Sequence, residues 1–291
     1  MDKPALQAYA NRSIVTRTQQ QGLKMAFATI NKAHLWYDIQ GEGEPLLLHH
    51  GYTASRVNWA PVADILAEHY QVILMECRGT GESEHTQTGY TLHEYAADVL
   101  GLMDHLGIQT FTYAGHSMGG GIGFVLATEH SDRLRRLILM APIPSDGTGP
   151  VDAARLAARV HARAAGDAEF FMAAYREGRQ MPELDTDDWF IDRTRHLLAL
   201  SEGHLVGGAE TMSALRTQAK LGKVTVPTLM IAGSADGLLP YNIADYQRLP
   251  HADLCVISRA GHETAVHAPR EVASAIHKFM RFGPAPKPKF P

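Results

Sequence analysis

The stretch Phe111-Thr112-Tyr113-Ala114-Gly115-His116-Ser117-Met118-Gly119-Gly120-Gly121-Ile122-Gly123 constrains this chain more than any other. A short apolar and aromatic run enters Gly115-His116-Ser117-Met118-Gly119, and a helix-compatible run leaves from Ile122. The order is strand, sharp turn, helix, with a serine at the apex. Such an apex serine takes a strained positive φ, so the residues two before and two after it have no room for a Cβ. The helix beyond aims its first N–H groups at negative charge forming beside Ser117. Chance alone supplies roughly 0.1 copies of the five-residue pattern in a chain of this composition. The flanking strand and helix, not the pattern by itself, therefore carry the inference.

The rest of the chain alternates strands and helices around this elbow. Met25–Thr29 and Ala33–Ile39 read as a hairpin turning at Asn31-Lys32. Leu46–His50, Val72–Cys77, Leu134–Ala141, Thr228–Ala232 and Asp253–Ser258 read as short apolar strands. Trp59–His69, Thr91–Leu106, Tyr241–Leu249 and Pro269–Met280 read as helices between them. Residues 145–221 carry no strand signal and hold Ala/Arg-rich helical stretches at 152–166, 168–177, 188–201 and 207–221. The pattern predicts an α/β fold with a mostly parallel, doubly wound sheet interrupted by a helical insertion. The expected organisation is an N-terminal arm at 1–24, a core at 25–144 and 222–282, a helical cap at 145–221 and a flexible tail at 283–291.

An activated serine needs a base, and the base needs an orienting carboxylate. Ser234-Ala235-Asp236-Gly237 directly follows the strand Thr228–Gly233, and Arg259-Ala260-Gly261-His262-Glu263 follows the last strand. The order Ser, acid, His after successive strands assigns Ser117 as nucleophile, His262 as general base and then acid, and Asp236 as orienter. Asp146, just after the preceding strand, is the alternative acid. Most of the other histidines fall on helices or loops and are expected to be solvated. His116 is by default a structural neighbour of the serine, and also a candidate substrate contact. Two donors are needed for an oxyanion. One is the Met118 N–H, and the other is the Tyr52 N–H in His49-His50-Gly51-Tyr52, where Gly51 lets the backbone turn in close. The Tyr52 ring would line the pocket. Arg78 and Ser83 are expected to brace the Gly-rich loop Arg78–Ser83.

Together, His50-Gly51, Arg78-Gly79-x-Gly81-x-Ser83, Gly115-His116-Ser117-Met118-Gly119-Gly120, Gly233-x-x-Asp236 and Gly261-His262 resemble the α/β-hydrolase fold superfamily over residues 25–282. The resemblance implies an eight-stranded, mostly parallel sheet roofed by the cap. It also implies a serine hydrolase similar to carboxylesterases and lactonases. A serine at the apex, rather than an aspartate, argues against the haloalkane dehalogenase and epoxide hydrolase branches. The cap and Ser-Met-Gly-Gly also resemble the meta-cleavage C–C hydrolases. The chain departs from those at His116, where they commonly carry Asn, and it lacks their Gly-rich run after His50-Gly51 and a Trp after the catalytic His. Those departures favour an ester or lactone of a small to medium apolar substrate, with C–C hydrolysis as the alternative. A non-catalytic small-molecule receptor on the same fold is the rival from another class.

Composition excludes several other classes. Net charge is −4 and no basic block exists, so nucleic acid is not an expected partner. No apolar run approaches a membrane span, and the N-terminus shows no secretory pattern. The two cysteines, Cys77 and Cys255, fall in expected strands and read as buried small hydrophobes, which fits a cytoplasmic protein. No metal-binding or P-loop motif occurs, so no cofactor is expected. The expected partner is a small-molecule substrate, and the expected state is monomer or homodimer. Cap residues Phe170, Phe171, Met172, Tyr175, Trp189, Phe190 and Leu197 suggest an apolar pocket, with Tyr175 and Trp189 the first candidate substrate contacts, although aromatic residues on helices are more often core packing.

Overall fold

The computed structural model describes residues 26–286. The arm at 1–24 and the tail beyond 286 lie outside them. Eight strands form one sheet: β1 (Ala26–Ile30), β2 (Ala33–Gln40), β3 (Pro45–His49), β4 (Gln71–Met75), β5 (Phe111–His116), β6 (Leu134–Met140), β7 (Thr228–Gly233) and β8 (Ala252–Ile257). The spatial order is β1-β2-β4-β3-β5-β6-β7-β8. β1–β2 and β2–β4 pair antiparallel, and the remaining neighbours pair parallel. This is the doubly wound sheet that the strand–helix alternation predicts.

Side chains alternate across the sheet and feed a core layer on each face. On β3, Leu47 faces one layer while Leu46 and Leu48 face the other. The helices α1 (Ala60–Leu66), α2 (Leu92–His105) and α3 (Met118–Glu129) follow β3, β4 and β5. α2 begins at a reciprocal cap in which Thr91 and Glu94 bond each other's backbone N–H. Its Tyr95, Val99, Leu102 and Met103 are buried in the same layer as Leu47. α1 supplies Val62, Ala63 and Leu66 to the opposite layer.

Between β6 and β7 lie four helices: α4 (Ala153–Ala165), α5 (Ala168–Glu177), α6 (Asp187–Ala199) and α7 (Glu202–Ala214). They share a small core of Ala162, Phe171, Leu197 and Leu200. Phe171 and Leu197 are thus packing residues, and Phe170 is exposed. The fourth helix runs over 202–214, not 207–221, and a 3-10 turn occupies Gln218–Lys223. Gly203, Gly207 and Gly208 hide its start in the sequence. In the fold they seat tightly on neighbours: a Cβ on Gly207 would lie 2.7 Å from Tyr90 Cβ, and one on Gly208 would lie 2.8 Å from the Tyr52 ring. Tertiary packing here overrides weak local propensity.

After β7 come α8 (Leu239–Arg248), then β8, the single turn α9 (Thr264–His267) and α10 (Pro269–Phe282). In the coil after α10, Ala285 N–H bonds Asp253. Cys77 is fully buried but lies just past β4, and Cys255 on the edge strand β8 is only half-buried.

Candidate active site

Parallel pairing places the C-terminal ends of β3, β5, β7 and β8 along one edge, and the loops after all four converge there. Ser117 joins β5 to α3 with φ 54° and ψ −112°. Only backbone contacts of exceptional closeness allow this turn. A Cβ on Gly119 would lie 2.7 Å from the carbonyl oxygens of both His49 and His50, and one on Gly115 would strike the Gly119 carbonyl. The turn is pinned by Ser117 N–H to Met140 O at 3.0 Å and Ile143 N–H to Ser117 O at 3.2 Å.

The structure brings Ser117, His262 and Asp236 together. His262 Nε2 is 2.9 Å from Ser117 Oγ, and His262 Nδ1 is 2.9 Å from Asp236 Oδ2. The carboxylate can only accept, so Nδ1 carries the proton and Nε2 presents a lone pair to the serine hydroxyl. The other Asp236 oxygen accepts Leu238 N–H at 3.0 Å. Burial works to lower the His262 pKa, yet the hydrogen bond and charge of Asp236 hold it above the ordinary 6.5. Burial likewise works to raise Asp236, but bonding to His262 brings it below the usual carboxylate value. Asp146 is exposed in the turn after β6, and its carbonyl accepts from Arg216.

The loop after β3 approaches the serine closely. A Cβ on Gly51 would come within 2.9 Å of Ser117 Cβ. Met118 opens α3, where the first N–H groups have no intrahelical acceptor. The Tyr52 ring lines the cavity above Ser117, its hydroxyl donates to Leu205 O in α7, and burial pushes its pKa up to about 12. His116 is buried in the same wall and donates from Nε2 to His262 O at 2.9 Å, and burial pushes its pKa down to about 4. Arg78 grips Asp98 of α2 through two bonds of 2.7 and 2.6 Å, and Ser83 Oγ bridges Glu76 O and Trp36 N–H. Both therefore fix the Gly-rich loop away from the cavity.

Two polar residues that sequence reasoning left without a role dominate the cavity wall. Arg193 of α6 donates to Thr53 O at 2.8 Å and lies 3.7 Å from Glu263. Glu263 also accepts from Asn58 at 2.5 Å. Burial would raise the Glu263 pKa, but Arg193, His116 and His262 together bring it to about 2. The cavity of about 300 Å³ thus combines Ala54, Ile143 and Met212 with Arg193 and Glu263, and is less apolar than the expected pocket. Tyr175 and Trp189 do not line it. They line a second cavity of about 210 Å³, which shares Arg193, His262 and Glu263 with the first.

A further clamp holds the loop carrying His262. Gly261 N–H donates to His267 Nδ1 at 3.0 Å, so Nε2–H donates to Asp185 at 2.7 Å. Asp185 also accepts the Gln180 and Met181 N–H groups, and Gln180 Oε1 accepts His262 N–H at 2.8 Å.

A family model described as alpha/beta hydrolase fold matches residues 44–269. The chain belongs to the α/β-hydrolase fold family. Among its relatives is a protein from Caulobacter sp. (strain K31) named "Putative carbamate hydrolase RutD", 28% identical over 84% of this chain and 95% of that one. A thermophilic esterase from Thermogutta terrifontis, solved with malate bound, superposes with a TM-score of 0.73 at 25% identity, covering 89% of this chain and 98% of that one. The enol-lactonase from Burkholderia xenovorans LB400 shares the fold with a TM-score of 0.77 at 22% identity over 88% of this chain and all of its own. Among the described residues, no α/β-hydrolase helix here is long and apolar enough to cross a membrane.

Proposed function

We propose that this hydrolase cleaves a carboxylic ester or lactone of a small to medium substrate through an acyl-enzyme on Ser117. The observation that carries the reading is the unbroken hydrogen-bond chain from Ser117 Oγ through His262 to Asp236. In this reading His262 Nε2 takes the Ser117 proton as Oγ attacks the carbonyl carbon. The developing oxyanion is met by the Met118 and Tyr52 N–H groups, and Asp236 stabilises the imidazolium. The helical insertion serves as the cap, and Arg193 joins it to the site. The esterase and lactonase likenesses support the ester and lactone arms, and the carbamate-hydrolase relative supports a carbamate arm in the same test.

The test is a substrate panel run with an organophosphonate probe. Short-chain esters, lactones, carbamates and a meta-cleavage C–C substrate are compared in the wild type and in Ser117→Ala. We expect ester or lactone turnover, phosphonate labelling of Ser117, and a loss of roughly 10⁴-fold or more in kcat for Ser117→Ala. An alanine variant with near wild-type turnover overturns the reading. Selective C–C cleavage would move it to that chemistry, and saturable binding without any turnover would make the protein a receptor.

A further inference from the structure

We propose that the second cavity is the leaving-group subsite and that it accepts a single aromatic ring, so that the alcohol half of the substrate is an aromatic alcohol. The proposal rests on the acyl-transfer reading above and adds to it the chemistry of the departing group.

Where the leaving group sits follows from proton balance. Ser117 Oγ forms a bond to the carbonyl carbon while its proton moves to His262 Nε2. The tetrahedral adduct then collapses with cleavage of the carbon–oxygen bond to the alcohol. The proton on Nε2 passes to that oxygen, leaving a neutral alcohol and acylated Ser117. The departing oxygen must therefore lie within hydrogen-bond reach of Nε2, on the His262 side of the serine. The carbonyl oxygen points the other way, towards Met118 and the loop after β3.

The molecule has a cavity on that side. His262 stands in the wall of both cavities, whereas Ser117 stands only in the first. Both His262 ring nitrogens are hydrogen-bonded, yet its side chain keeps 29% of its surface exposed, so its ring carbons face open space. Arg193 and Glu263 also stand in both walls, and they form an ion pair at 3.7 Å.

The lining of the second cavity suits a flat ring. Tyr175 and Phe190 stack with centroids 5.4 Å apart at 11°. Arg193 lies 5.9 Å over the Trp189 ring and Arg179 lies 5.0 Å over Phe190, which presets the aromatic wall. Gln180, Asp185 and Glu263 complete the lining beside these rings. A dry cavity of about 150 Å³ takes benzene, so about 210 Å³ accommodates one ring with a short substituent.

The experiment compares benzyl and cyclohexylmethyl esters of one short acid. The two alcohols differ in ring flatness far more than in acidity. The kcat/KM ratio of benzyl to cyclohexylmethyl ester should be about two- to tenfold in the wild type, the range expected for ring–ring contacts. It should fall to near unity in Trp189→Leu and in Tyr175→Leu, the second variant guarding against a folding defect in the first. Independently, 4-fluorobenzyl alcohol should bind Ser117→Ala, read by ¹⁹F line broadening. That binding should weaken severalfold when Trp189→Leu is added. Ester turnover with a unit ratio and no Trp189-dependent binding overturns the subsite and leaves the acyl-transfer reading standing. Trp189-dependent alcohol binding in a protein that hydrolyses no ester overturns the acyl-transfer reading and, with it, the leaving-group role of this cavity.

Discussion

The Arg193 guanidinium, carried by a helix of the insertion, donates to the Thr53 carbonyl at 2.8 Å. Thr53 has φ 54°, a left-handed backbone uncommon for a β-branched residue, and it directly follows Tyr52. One side chain of the cap therefore secures the loop from which we draw an oxyanion donor, and it also pairs with Glu263, the residue after His262, at 3.7 Å.

From this contact, Arg193→Met should lower kcat by about 10- to 100-fold, the scale of loss when a catalytic donor is displaced by about 1 Å. Arg193 also opposes the positive charge of His262, so its removal should move the acid limb of kcat/KM to higher pH. Arg193→Lys keeps the charge but not the two-pronged geometry, and should restore the limb more fully than kcat. A pH–rate series on the three proteins decides this. Unchanged kcat in Arg193→Met would remove the cap from the catalytic geometry.

Glu263 predicts the opposite sign. Its ionised carboxylate supports the protonated form of His262. Glu263→Gln keeps the shape and removes the charge, so the acid limb should move to lower pH. A limb that stays still, measured beside that of Arg193→Met, would show that the pair does not act on the imidazole.

Why were Arg193 and Glu263 illegible in the sequence? Glu263 adjoins His262, but nothing local tells an exposed loop carboxylate from one buried beside Asn58 and Arg193. Arg193 is one of many arginines on polar helical stretches, and only the docking of α6 on the loop after β3 singles it out. By contrast, the strand-turn-helix context of Ser117 and the placement of Asp236 and His262 after late strands are local signals, and the fold brings these three within hydrogen-bond reach. Histidine burial went the other way. His204 falls on a helical stretch where most histidines are expected to be solvated, yet it is fully buried, as are His49 and His50 at the end of their strand and His116 in the elbow. Their partners are distant in sequence: Tyr113 and Cys77 for His49, Tyr95 for His204.

The charge on Asp236 gives the next prediction. In the proposed mechanism deprotonated His262 is the active form, and the hydrogen bond and charge of Asp236 hold its pKa above 6.5 against burial. The wild-type acid limb should therefore lie above 6.5. Asp236→Asn should shift it downward and cost on the order of 10⁴-fold in kcat, because the wrong tautomer then faces Ser117. Asp146→Asn should leave both unchanged. A reversed pattern would make Asp146 the acid.

The last prediction concerns stability in acid. Burial pushes His49 and His204 down to about 3, His116 and His196 down to about 4, and His50 well below 6.5. In the unfolded chain all five titrate near 6.5. Below that pH the unfolded state binds protons that the folded state refuses, so stability falls as pH falls from about 6.5 towards 4. Each such group contributes up to roughly 1.4 kcal/mol per pH unit, and the five together can remove a domain's typical ~5–15 kcal/mol within about two units. The buried carboxyls Glu76, Asp98 and Asp245, raised chiefly by burial, titrate in the opposite sense and temper the slope. Glu263, depressed to about 2, loses its contribution only below the ordinary carboxylate range. Acid unfolding followed by near-UV circular dichroism should therefore have its midpoint near pH 5, with more than one proton taken up. In urea titrations, His49→Gln should reduce the dependence of the midpoint on pH between 7 and 5.5. A protein that keeps its near-UV signal and its urea midpoint down to pH 4 would show that these imidazoles are not held neutral by burial.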